Sequence, residues 1–313
     1  MSDDFDDILE EDWPEDHRSG VIAVVGGPNV GKSTLINRIV NQKIAIVSDK
    51  PQTTRKQQLG IYTVPEGQIL FVDTPGLHRP QHRLGEYMVD VAEQALKDAD
   101  LILWLLDASG PPTGTDRHIA ETVKNLRRDT PIVLALNKID QVAGDAEFND
   151  HTALIEHRQA IQISALKGTN VEILLAQLLA QLPLGPRYYP ADQVSEVNFR
   201  FMAAETIREK IILNTEQEIP YSVAVEIDSY KDRDDTLTYI SAIIYVERDS
   251  QKGIIIGKQG KMIKRLGTEA REELSAIIGT KVYLDLRVKV LKNWRSNEGF
   301  MRQLGYRFPK KTN

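Results

Sequence analysis

The chain has no cysteine. That excludes disulfides, thiol nucleophiles and cysteine metal sites, and it fits a reducing cytoplasm. No apolar run approaches the roughly 18 residues that read as a membrane span. Basic residues are nearly missing from the N-terminus: residues 1–20 hold nine acids and one base, which excludes a signal or transit peptide. The same stretch is poor in branched apolar residues, so 1–19 is expected to be a disordered acidic tail. There is no internal repeat, and no biased tract beyond that tail.

The remainder has an ordinary globular composition, 41% hydrophobic and 27% charged over 313 residues, enough for two domains each with its own core. The net charge of −6 hides an asymmetry, because residues 252–313 carry 15 bases and 5 acids. A basic C-terminal part points to a polyanionic partner, against the alternative of a merely solvated surface.

Apolar runs at 21–25, 69–72, 101–106, 132–136 and 161–163 read as buried strands, with 59–64 a more alternating edge strand. Helical spacing at 32–40, 86–97, 115–127 and 171–182 separates them. Alternating strand and helix predicts a mostly parallel sheet covered on both faces over residues 20–183, with ligands at the carboxyl ends of the strands. Residues 184–197, rich in proline, glycine and tyrosine, read as a semi-rigid linker. In 198–313 the pattern becomes helix, two alternating strands, a glycine loop, a long helix at 261–278, a strictly alternating strand at 282–290 and a last helix near Trp294.

Four segments follow predicted strands directly. The first, Gly26-Gly27-Pro28-Asn29-Val30-Gly31-Lys32-Ser33, matches a phosphate-binding loop and runs into Thr34 of a helix. Its glycines let backbone N–H groups wrap phosphates, Lys32 reaches the β- and γ-phosphates, and Ser33 ligates Mg²⁺. The second, Asp73-Thr74-Pro75-Gly76, supplies a carboxylate for a magnesium-bound water and a Gly76 N–H that senses the γ-phosphate. The third is Asn137-Lys138-Ile139-Asp140. Asp140 can accept from guanine N1–H and the 2-amino group together, which adenine does not offer. Asn137 orients the loop and the Lys138 stem packs on the ring. In the fourth, Ser164-Ala165-Leu166, the Ala165 N–H is expected to donate to the guanine carbonyl. GTP and GDP are therefore the expected ligands. A threonine of Pro51-Gln52-Thr53-Thr54-Arg55 completes the magnesium shell, Thr54 first and Thr53 second. Leu77 occupies the place where many switch proteins have a water-orienting glutamine, so slow turnover is expected. His78 and His82 nearby read as solvated loop residues.

A second anion cradle, Gly257-Lys258-Gln259-Gly260, precedes the long basic helix. Its glycines let backbone approach phosphates, with Lys258, Lys261, Lys264 and Arg265 on the rim. The isoleucines at 254–256 with Met262 and Ile263 would anchor the helices and floor the groove. Trp294 reads either as core or as part of an extended RNA track with Arg295, Arg302, Arg307, Lys310 and Lys311.

With these motifs, together with Phe199-Arg200-Phe201-Met202 and Pro220-Tyr221-Ser222, the chain resembles the Era family of bacterial GTPases over about residues 20–310. The resemblance implies an α/β P-loop GTPase domain with a mostly parallel sheet, then an α+β type II KH domain. It implies GTP hydrolysis and binding near the 3′ end of 16S ribosomal RNA during assembly of the small (30S) ribosomal subunit. It further implies a potassium ligand at Asn29, a cytoplasmic monomer and a peripheral contact with the inner membrane. The alternative from another class is an RNA adaptor that binds GTP without useful hydrolysis, which Leu77 keeps open.

Overall fold

A computed structural model describes residues 13–77, 80, 82–144, 147–196 and 198–309. Most of the acidic tail, His78, Lys310 and Lys311 lie outside the described residues. The first unit is a six-stranded sheet in the order β2-β3-β1-β4-β5-β6. Its strands are β1 (Arg18–Gly26), β2 (Gln58–Val64), β3 (Gly67–Asp73), β4 (Leu101–Asp107), β5 (Ile132–Asn137) and β6 (Gln159–Gln162). All pairings are parallel except β2 with β3, which makes β2 the antiparallel edge. The helices are α1 (Lys32–Ile39), α2 (Arg83–Asp98), α3 (Gly114–Leu126), the single turn α4 (Asn149–Thr152) and α5 (Val171–Leu179). One apolar cluster, including Ile22, Val24, Leu35 and Leu174, fills one sheet face; another, including Ala23, Val25, Trp104 and Ile119, fills the other. Odd and even residues of β1 thus serve opposite cores, the period-2 consequence of a strand buried on both sides.

β1 begins at Arg18, earlier than the hydrophobic run suggests. The disorder expected for 1–19 is therefore corrected at its inner end. Arg18 and Ser19 pair with Gly67 and Gln68, the Ser19 N–H donates to the Pro183 carbonyl at 3.1 Å, and His17 is buried. Backbone pairing, which hydrophobicity does not report, sets this end.

The segment expected as a linker is strapped to the sheet edge. Gln68, fully buried, accepts the N–H groups of Tyr188 and Tyr189 at 2.8 and 3.0 Å and donates to the Tyr189 carbonyl at 2.8 Å. The Ile61 N–H reaches the Val194 carbonyl at 2.9 Å. The Ile61 bond, beside a bridge between Gly60 and Ser195, covers part of the outer edge of β2, which would otherwise present an unpaired ladder.

The second unit is a three-stranded sheet, β7 (Ala224–Asp234), β8 (Leu237–Val246) and β9 (Lys281–Val290), antiparallel then parallel. Helices α6 (Phe199–Asn214), α8 (Asp249–Ile256) and α9 (Lys261–Ile278) contribute to one core with Ile207, Ile211, Ile244, Ile255 and Leu266. The short α7 (Ile219–Ser222) and α10 (Glu298–Gln303) complete the chain.

A further apolar cluster joins the two units. Leu84, Tyr87, Met88 and Val91 of α2 pack with Ile243, Tyr245, Trp294, Met301, Leu304 and Tyr306. Trp294 is core: fully buried, donating its Nε1–H to the Ser222 carbonyl at 2.7 Å and stacked on Tyr306. Arg295 is spent on Glu247 at 2.6 Å. The RNA-track reading of this pair is therefore set aside. Trp294→Ala should cost about 3–5 kcal/mol of unfolding free energy, read as a lowered urea midpoint; a midpoint unchanged from the parent would contradict the interface.

Candidate functional site

The carboxyl ends of β1, β3 and β5 deliver three of the sequence motifs to one side of the sheet, and the loop after β6 brings the fourth. Between them is a cleft of about 410 Å³, lined by Pro28, Asn29, Gly31, Lys32, Ser33, Thr34, Thr54, Gly76, Asn137, Lys138, Asp140, Ala165 and Leu166. Residues 46–50, with Gln52 and Thr53, close another wall.

The loop from Gly26 to Ser33 turns sharply into α1, with Asn29 at φ 60° and Gly31 at φ 101°. A Cβ at Gly31 would overlap the Asn137 amide nitrogen, so only glycine allows this approach. Lys32 is buried, and its Nζ donates to the Gly26 and Gly27 carbonyls at 3.0 and 2.9 Å. Burial pushes this ammonium below its ordinary pKa, with Asp73 opposing.

Three oxygen-bearing side chains meet beside it. Ser33 Oγ donates to Asp73 Oδ2 at 2.7 Å and lies 3.0 Å from Thr54 Oγ1, which reaches the same carboxylate oxygen at 3.5 Å. Asp73 is fully buried, and its other oxygen, Oδ1, has no hydrogen-bond partner among the described residues. Burial raises its pKa, against the pull of Lys32, Ser33 and Thr54. An orphaned carboxylate oxygen among hard donors fits a magnesium ion. Of the two threonines, Thr54 is the one at this cluster; Thr53 instead donates to the Lys50 carbonyl at 2.6 Å.

At the other end, Asn137 donates to the Val30 carbonyl at 2.6 Å and accepts the Ala165 N–H at 2.8 Å, tying the phosphate loop to the loop after β6. The Ala165 N–H expected to meet the guanine carbonyl is thus held at the cleft by Asn137. Asp140 is exposed, with one oxygen accepting from Ser164 Oγ at 2.6 Å and the other without a donor among the described residues. Lys138, in the left-handed region, pairs with Asp107 at 2.5 Å. Burial works against Asp107, yet Lys138 and Ser109 hold its pKa below the ordinary value. Leu77 is buried with Val25, Val72 and Trp104 rather than turned to the cleft. His82 borders a separate cavity with Glu218, Tyr221 and Arg295.

The Gly257–Gly260 loop joins α8 to α9 through left-handed residues, Gly257 at φ 72° and Gln259 at φ 52°. A Cβ on Gly257 would stand 2.7 Å from the Met262 Cβ, so the helix junction demands glycine there. Lys258, Gln259, Lys261, Lys264 and Arg265 are exposed around it. Arg265 pairs with Glu269 at 2.7 Å. Ile255 is buried, but Ile254 is 50% exposed, so it does not anchor the helices as expected; on an eight-residue helix it occupies the outward face.

A family model described as a 50S ribosome-binding GTPase matches residues 21–138, and a KH-domain model matches residues 218–295. The GTPase Era of Thermotoga petrophila is 53% identical over 286 residues, covering 90% of this chain and 94% of that protein. The chain belongs to the Era family. The GTPase Era of Ruminiclostridium cellulolyticum is 44% identical over 294 residues, covering 93% and 98%. Two crystal structures of Era superpose with a TM-score of 0.85 at 38% identity. One, from Aquifex aeolicus, is a variant bound to GDP·AlF4⁻ and covers 92% of this chain and 99% of its own. The other is Era in complex with MgGDPNP and nucleotides 1506–1542 of 16S ribosomal RNA, covering 93% and 99%.

Pattern reading of this Era-family chain misses several supports of the cleft. Arg38 Nε donates to the Ala165 carbonyl at 2.6 Å, yet in sequence it is one more cation on a helix. Residues 46–50 lack any phosphate or base signature, and only the fold brings them to the cleft.

Proposed function

We propose that this chain is a GTP-hydrolysing switch that holds the 3′ end of 16S ribosomal RNA and assists assembly of the small (30S) ribosomal subunit. The carrying observation is one cleft lined by Lys32, Ser33, Thr54 and the exposed Asp140, with buried Asp73 bonded to Ser33 and Thr54 beneath it. The KH-type loop on the same chain, and relatives named for MgGDPNP and 16S RNA, support the RNA half.

Ser33, Thr54 and Asp73 would hold magnesium, which when bound neutralises charge building between the β- and γ-phosphates. Lys32 exchanges the two loop carbonyls for phosphate oxygens, a stronger partner for its charge. Gly76, on the cleft wall, senses the γ-phosphate through its N–H. Asp140 reads guanine with the carboxylate oxygen that Ser164 leaves free. Asn29, hydrogen-bonded to the Asp49 carbonyl, is the potassium ligand in this reading. Lys258, Lys261, Lys264 and Arg265 take RNA phosphates. With Leu77 buried, no side chain there orients the attacking water, so intrinsic turnover is slow. We place the protein in the cytoplasm as a monomer with a peripheral inner-membrane contact. No helix among the described residues is long and apolar enough to cross a membrane.

Single-turnover phosphate release with Mg²⁺, in potassium against sodium, with and without RNA 1506–1542, tests the reading. Slow release that rises with potassium and RNA is expected. No release under any condition would leave the buried Leu77 to favour the second reading, a GTP-binding RNA adaptor.

A further inference from the structure

The irregular segment 43–56, which carries Thr54, is held on one side by its own unit, through Asn37 at Ile44 and Ala45 and Asn29 at Asp49, and on the other by the KH half of the chain. Helix α6 supplies much of the KH-side grip, beside Glu273, Thr215, Pro220, Val223 and Leu304. Glu205, Arg208, Glu209 and Ile212 fall at positions i, i+3, i+4 and i+7, one face of a helix. Arg208, 1% exposed, donates Nη2–H to the Thr53 carbonyl at 2.5 Å and is fixed by Glu205 through its Nε at 2.8 Å. Glu209, 3% exposed, accepts the Val47 N–H at 2.9 Å and the Lys43 ammonium at 2.6 Å. Lys50 donates to the Ile212 carbonyl at 2.6 Å, on the last turn of α6. Buried charged groups aimed at backbone atoms of a loop fix that loop's position, and removing one partner strands the other.

The opposite side of α6 meets α9, the helix that begins at the Gly257–Gly260 loop. Lys43 and Lys210 share Glu273 of α9. Asn214 donates to Glu269 at 2.8 Å, and Glu269 in turn holds Arg265 on the rim of the loop. One rigid helix therefore touches the peptide next to a magnesium ligand on one side and the helix of the RNA groove on the other.

We propose that Arg208 and Glu209 are positioning residues for GTP hydrolysis, and that α6 is the element through which RNA in the groove and γ-phosphate in the cleft bias one another. The inference rests on the proposed function and names its regulation. Arg208 fixes the Thr53 carbonyl, hence the peptide that carries Thr54 to Ser33 and Asp73. Hydrolysis that loosens Thr54 also loosens Thr53 from Arg208. RNA that shifts α9 moves the same helix through Glu269 and Glu273. Linkage requires the effect to run both ways for binding affinities.

The test uses the full chain, nucleotide, Mg²⁺ and RNA 1506–1542. Arg208→Met should lower single-turnover hydrolysis by about tenfold and reduce the ratio of RNA affinities in the GDPNP and GDP states toward one. GDP affinity should not change, because GDP does not engage Thr54; Arg208→Lys should restore part of the loss. Asn214→Ala, which removes the bond from α6 to Glu269 of α9 and touches neither ligand, should leave basal hydrolysis intact and weaken only the dependence of RNA affinity on nucleotide. Urea midpoints identify unfolding: a variant that loses GDP affinity together with stability is merely structural, and counts against a positioning role. Parent-like hydrolysis and an unchanged affinity ratio in Arg208→Met would overturn the inference. A parent chain that binds no RNA would instead remove the proposed function beneath it.

Discussion

Asp140→Asn should convert the cleft from a guanine reader to a xanthine reader. Asp140 presents one carboxylate oxygen outward while Ser164 Oγ occupies the other at 2.6 Å. Guanine offers N1–H and a 2-amino group to such an acceptor; xanthine offers a carbonyl where the amino group stood. An asparagine can donate to that carbonyl but meets the amino group with a donor of its own. Sites built on such hydrogen bonds discriminate by about 10⁴-fold, because the mismatched partner is left unpaired. GTP affinity should fall by about that order and xanthosine triphosphate should become the preferred ligand, as read by competition against a fluorescent nucleotide. GTP selectivity that survives the substitution would show that Asp140 is not the base reader.

Asp73→Asn should carry two opposite signatures. Hydrolysis should fall by about 10²- to 10³-fold with a weakened magnesium requirement, the usual scale for removing one preorganised electrostatic group. The unliganded protein should become more stable at neutral pH. Burial, opposed by Lys32, raises the pKa of Asp73. A carboxyl raised in the folded state favours folding only while it is protonated. That advantage is complete below the unfolded value of about 4 and is lost as pH climbs through the raised folded value. Across that window the unliganded fold loses stability relative to the unfolded chain, in which the carboxyl ionises freely, and asparagine removes this penalty. The melting temperature of the variant should exceed the parent's at pH 7 without magnesium, and the gap should narrow as pH falls. Added magnesium should reverse the order by stabilising only the parent. Equal hydrolysis in both proteins would remove Asp73 from the reaction.

The parts of the site legible in sequence are those where a local pattern and its flanking strand coincide. Lys32, Ser33, Asp73 and Asn137 each sit at or just beyond the end of a strand whose apolar run is plain, so their convergence follows from the parallel sheet. The order of Thr54 before Thr53 has no pattern behind it, since alternation in an irregular segment has no fixed phase. It is decided by which hydroxyl faces Ser33 and Asp73. Gln68 was invisible because a glutamine within a strand gives no sign that it will bind the chain at Tyr188 and Tyr189. In sequence Arg55 is only the last residue of a motif. It is 1% exposed and donates to the Pro220 and Val223 carbonyls at 2.8 and 2.6 Å, and burial, with Arg208 adding to it, pushes its pKa down to about 10. Such contacts span more than 160 positions in sequence, beyond the reach of any window pattern.

The shared cluster of α2 with Trp294, Met301 and Tyr306 bears on how the molecule melts. Two modules joined by a slack tether would give separate endotherms in a scanning calorimeter. Here the nucleotide module cannot come apart without wetting an indole that belongs to its neighbour. Heating should therefore produce a single endotherm, and a nucleotide bound to the first module should delay the loss of the second.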